Sequence, residues 1–125
     1  MASSDHLSPY QYKLFMQAKD LMNITAGDGG FDGTLASKPW LYQRKLENAK
    51  RNSAFSSWRE PKKGEKTIYE SIKERGIVSP VSIGLRKNEK GDTEEYINDG
   101  HHRVTVANEI DPEMYIPVHY GSTFG

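Results

Sequence analysis

Residues 80–110 read PVSIGLRKNEKGDTEEYINDGHHRVTVANEI. In 80–86 apolar and small or polar positions alternate. Val81, Ile83 and Leu85 fall on one side, and Ser82, Gly84 and Arg86 on the other. Side chains of a strand point to opposite faces in turn, so this pattern predicts a strand with one buried face. Asn88 to Asp92 form a turn around Gly91, and 94–98 return as a second strand, which completes an antiparallel hairpin. Residues 99–110 then predict a helix with Val104, Ala107 and Ile110 turned inward, closed by Asp111-Pro112. A hairpin that runs straight into a helix sets the class as α+β.

On the C-terminal side, YIPVH at 115–119 predicts a short last strand, and Pro117 places it at a sheet edge, because proline cannot donate to a ladder. On the N-terminal side, Thr67 and Glu70 have capping-box spacing. Ile68 and Ile72 share the face of the helix they start, and Gly76 stops it. A further helix is expected over 39–52, with Pro39 in its first turn and Ser37 as its cap. Leu41, Tyr42, Leu46 and Ala49 line one face, while Gln43, Arg44, Lys45, Lys50 and Arg51 face away. Residues 53–66 form a polar, basic connector with Trp58 as its large apolar group, expected to pack as an anchor rather than to face a partner. Residues 10–22 predict a short amphipathic helix, 27–33 (GDGGFDG) a glycine loop, and 1–9 a loosely tied lead. The organisation is thus a basic helical extension over 1–66 and an α+β core over 67–125, together one compact domain.

The chain has 125 residues, 35% of them hydrophobic and 27% charged, with a mean hydropathy of −0.77. One small core is what such a length can bury. The sequence contains no run of ~20 apolar residues, and its first ten residues lack the pattern of a secretion signal, so a cytoplasmic location without membrane contact is expected. There are no cysteines, which excludes thiol, disulfide and iron–sulfur chemistry. The net charge is zero, yet 38–66 hold nine basic and three acidic residues. Such a segment suits an anionic partner, or pairs with the acidic second half.

The cluster richest in chemistry is Asp99-Gly100-His101-His102-Arg103, at a strand-to-helix junction. A helix N-terminus offers backbone amides and a partial positive charge. Gly100 admits close approach of a ligand, His101 and His102 can donate hydrogen bonds, and Arg103 adds a fork of donors, a set suited to phosphate or carboxylate. Asp99 fits as the N-cap. A purely structural reading also exists: Asp-Gly is a common cap, and Arg103 could pair with Glu109 or Asp111. A metal reading is weaker. Adjacent helical residues diverge by about 100°, so His101 and His102 would need a third ligand such as His119. No serine sits in a nucleophile elbow, and the glycine loop lacks the ending of a Walker motif.

The segments IYESIKERGIVSPVSIGL, YINDGHHRVTVANEI and YIPVHY together resemble the ParB/sulfiredoxin-like domain, also called the ParB-like nuclease domain. The resemblance covers 67–119, roughly half the chain. KPWLYQRKLENAKRN through GEKTIY is similar to the basic helical lead of small phage-encoded members. The resemblance implies a small mixed sheet with packed helices. It also implies a phosphate site at Gly100, His101, His102 and Arg103, where a nucleoside triphosphate with Mg²⁺ would bind, with Ser79 and Asp99 as secondary residues. Sulfiredoxin reduction needs a cysteine and is excluded. Six residues follow His119, so the DNA-reading helices of partition proteins are not expected. The family's nuclease label would make His101 or His102 an acid/base, although no carboxylate cluster for a metal pair is visible.

Three functions follow as expectations. The first is a phosphate-recognising module for a nucleotide or a nucleic-acid backbone such as DNA. The second is a metal-dependent nuclease or a nucleotide hydrolase or phosphotransferase. The third is an inactive interaction protein that binds a host factor in the host cytoplasm. An exposed N-terminal helix on so small a core is also compatible with a homodimer.

Overall fold

The structure, a computed structural model, describes residues 14–27 and 33–121. The expected lead at 1–9 and most of the expected glycine loop lie outside the described residues. In chain order the elements are β1 (Leu14–Gln17), α1 (Ala18–Leu21), β2 (Thr25–Ala26), α2 (Pro39–Arg51), α3 (Ile68–Arg75), β3 (Val81–Lys87), β4 (Thr93–Asp99), α4 (His101–Ile110) and β5 (Tyr115–Tyr120). The class is α+β, as expected. The strands form one five-stranded mixed sheet in the order β1-β5-β3-β4-β2. The hairpin β3–β4 is antiparallel and pairs Ile83 with Ile97, β5 lies parallel to β3, β1 antiparallel to β5, and β2 parallel to β4.

The helix α4 is the hub. Its Val104 and Ala107 enter the main core with Val81, Ile83, Ile97, Ile116 and Val118 from the sheet and Ala18 and Leu21 from α1. Its Val106 enters a second cluster with Leu46 and Ala49 of α2 and Ile72 of α3. A helix covered on most sides needs small and apolar residues all round, which is what VTVA at 104–107 supplies; the Thr105 hydroxyl is satisfied by donating to the His101 carbonyl at 2.8 Å. The capping box of α3 forms as expected: the Glu70 amide donates to Thr67 Oγ1 at 3.1 Å and the Thr67 amide to Glu70 Oε1 at 2.9 Å. Gly76 ends α3 at φ +76°.

Several expectations are corrected. Residues 14–17 are a strand, not the middle of a helix, because β5 offers them a ladder from Leu14–Val118 to Gln17–Tyr115; only Ala18–Leu21 remain helical. The 1–66 segment is accordingly no helical appendage, since it supplies both edge strands of the sheet. Pro117 is not in an edge strand. The strand β5 lies between β1 and β3, and its parallel ladder with β3 starts only at Val118, so the sheet tolerates the missing amide. Leu85 is 49% exposed, because β3 has passed beyond the core by residues 85–87, which are exposed on both faces. Ser37 does not cap α2. Lys38 occupies the cap without a side-chain bond, and Ser37 Oγ instead accepts from the Thr34 amide at 2.8 Å. No helix among the described residues is long and apolar enough to cross a membrane.

Candidate functional site

The strand β4 ends at Asp99, and the chain enters α4 through Gly100 at φ +115°, a left-handed conformation that favours glycine. A Cβ at Gly100 would also stand 2.9 Å from Val81 Cγ2. The glycine is therefore accounted for by the turn and by packing on β3, rather than by ligand approach. Asp99 is not the N-cap; no side chain caps the helix. The Asp99 carboxylate instead accepts from Arg103 Nη2 at 3.2 Å.

Arg103 is held on its own side of α4. Its Nη1 donates to the Ser79 carbonyl at 2.8 Å and the Pro80 carbonyl at 2.9 Å. With the bond to Asp99, more than half of the guanidinium's donors are used on the protein. Arg103 thus ties the 79–80 turn to the start of α4, and Glu109 and Asp111 play no part in it. Glu109 accepts from the Tyr42 hydroxyl at 2.7 Å. Burial, reinforced by that carboxylate, pushes the Tyr42 phenol up to about 12. His101 is only 7% exposed, and the Nε2 atoms of His101 and His102 are both shielded from solvent. Acid–base chemistry in the adjoining cleft cannot run through those atoms without movement of the rings. His119 does not join them. Among the described residues no group of three or more His, Asp or Glu could hold a metal ion.

Every residue of the expected site does line one open cleft. Asn98, Asp99, Gly100, His101, His102 and Arg103 form one wall, Ser79 and Pro80 adjoin it, and the volume is about 1010 Å³. The 1–66 segment supplies much of the remaining lining: Lys45, Asn48 and Asn52 of α2 and its C-terminal cap, then residues 53–58. Lys45, Asn48 and Asn52 are three and four residues apart, so a helix sets them on one face. That spacing is a signal sequence reasoning could have used. A second cavity of about 400 Å³ shares Phe55, Ile68, Ser79 and Arg103 with the cleft and reaches Lys66 and Arg75.

The segment 53–66 is cross-braced. Ser53 is fully buried; its amide donates to the Arg59 carbonyl and the Ala54 amide to the Lys66 carbonyl, each at 2.8 Å. Asn52 Nδ2 donates to the Ser57 carbonyl at 2.7 Å. At the centre lies Glu65, which accepts from Arg59 Nη1 at 2.6 Å, Arg59 Nη2 at 3.1 Å, the Lys62 amide at 2.8 Å and Ser53 Oγ at 3.2 Å. The Arg59 guanidinium, followed by the Lys62 amide, holds the Glu65 carboxyl down at about 2. The expectation that Trp58 packs as an anchor is overturned. Trp58 is 92% exposed, because polar bonds rather than an aromatic anchor close this loop. Comparison with protein-family models, with curated proteins and with solved structures finds no match to this chain.

Proposed function

We propose that the chain is a ParB/sulfiredoxin-like module that recognises phosphate, in a nucleotide or a nucleic-acid backbone, within the cleft beside Gly100–Arg103. One observation carries this reading: a single cleft is lined both by the start of α4, with His101, His102 and Arg103, and by Lys45, Asn48 and Asn52 of α2 and its cap. A helix N-terminus with basic and amide side chains beside it is a setting for a polyanion. Arg103 contributes charge to this wall while its main bonds position Ser79 and Pro80. Lys45 is the side chain assigned to the phosphates, and His102 joins it once its ring turns to bring Nε2 out of its shielded position. A nucleoside triphosphate would bring its own Mg²⁺, held chiefly by the phosphates, since Asp99 beside the cleft is already paired with Arg103. The nuclease or phosphotransfer activity of the family label is a separate reading, tested by nicking or turnover with Mg²⁺.

Calorimetric titration with inorganic triphosphate and with nucleoside triphosphates tests the binding site. Lys45→Ala is expected to weaken binding about fivefold or more, and affinity should fall steeply with added salt. Absence of binding at low salt, or equal binding by Lys45→Ala, His102→Ala and wild type, removes the site. The interaction-protein reading draws on the exposed aromatic side chains Trp40, Phe55 and Trp58. A partner captured equally well by wild type and His102→Ala would favour it.

A further inference from the structure

Phe55 and Trp58 are 77% and 92% exposed, and both line the cleft. Scattered surface apolar residues need no explanation. Two aromatic rings presented on one braced loop beside a polar cleft are a different matter. The loop is fixed from below by the buried Ser53, by the amide of Phe55 donating to Ser53 Oγ at 3.0 Å, and by the Glu65–Arg59 clasp. The rings are thus held out on a stiff support, which lowers the ordering cost of whatever they bind.

The charge around them selects the ligand. Lys45 lines the same cleft, with Arg103 as the other cation of its lining; Lys62 and Lys63 are exposed on the connector, outside that lining. Of the connector's carboxylates, Glu65 is tied to Arg59 and Glu60 remains; Asp99, in the cleft lining, is paired with Arg103. Exposed aromatic rings beside a basic groove that tracks phosphates are the physical requirements for holding unpaired bases. A free nucleotide would use one ring at most, and a duplex hides its base faces. We infer that the cleft takes a single-stranded polynucleotide, its bases stacked on Phe55 and Trp58 and its backbone running past Lys45 toward the start of α4. This deepens the phosphate reading and rests on it for the path of the backbone.

The test is fluorescence anisotropy with labelled oligo(dT), oligo(rU) and a duplex of equal length, using the full chain. Wild type should bind at least one single strand tighter than the duplex, and the two single strands distinguish DNA from RNA as the source. Trp58→Ala and Phe55→Ala should each weaken that strand about tenfold, while thermal melting stays unchanged because both rings are exposed. In a Trp40→Phe background the strand should quench Trp58 emission. Lys45→Ala and His102→Ala report on the phosphate reading separately. If they weaken binding and the aromatic variants do not, the stacking platform is overturned and the phosphate site stands. If only the aromatic variants weaken it, the platform stands and the backbone path is lost. No binding of any strand at low salt, or a duplex preference, overturns the inference and leaves Phe55 and Trp58 as a protein-docking surface.

Discussion

Arg103 gathers three oxygens from two segments, the Ser79 and Pro80 carbonyls before β3 and the Asp99 carboxylate at the end of β4. A guanidinium can do this because its donors are planar and forked; an ammonium cannot serve the same geometry. Charge-assisted bonds contribute more than neutral ones, and the exposure of Ser79 and Pro80 tempers that gain. Arg103→Lys is therefore expected to cost about 0.5–1.5 kcal/mol of stability in urea denaturation, alongside any effect on ligand. A variant as stable as wild type would mean that these bonds add nothing to the fold. The presence of Arg103 beside the cleft was legible in the DGHHR string. Its engagement with Ser79 and Pro80 was not, because those carbonyls come from a turn more than twenty residues away.

At the level of single elements, the connector 53–66 shows how a stretch without helix or strand can still be rigid. Glu65 stabilises the folded loop in its ionised form. Its folded value of about 2 lies below the ordinary 4.5, so its contribution is fully present above about pH 4.5 and is lost as pH falls toward 2. Wild type should thus exceed Glu65→Gln in stability at pH 6, and the gap should close as pH approaches 2. Melting temperatures of both proteins across that window measure it; a gap independent of pH would assign the clasp's effect to something other than Glu65 ionisation. The capping box of α3 and the glycine stop at 76 were readable from Thr67, Glu70 and Gly76, since both are local devices. The connector was not readable, because its closure depends on a salt bridge and backbone bonds with no periodic signal.

Across the whole molecule, described residues of the 1–66 and 67–125 segments share one sheet and its apolar clusters. α2 covers Val106 with Leu46 and Ala49, and β1 and β2 close the two sides of the sheet. Removing the first 66 residues would expose that apolar surface and leave β5 and β4 unpaired on their outer sides, at a cost that a 59-residue remainder has little core to offset. The isolated 67–125 fragment is expected to be unfolded by circular dichroism and to show no cooperative melt. A folded fragment would restore the division into extension and core. The cleft has the same dependence, since both segments contribute to its lining.

The hairpin, α3, α2, α4 and the α+β class were determined by the sequence alone, because alternation, helical spacing, capping residues and glycine stops act within a few residues of where they are written. Tertiary structure decided the rest. It made a strand of 14–17 by offering a partner in β5, set Pro117 inside the sheet, turned Arg103 onto distant carbonyls, and brought Lys45 and Asn48 into one cleft with His102. Those outcomes depend on contacts between residues far apart in the chain, and such contacts leave no local pattern in the order of amino acids.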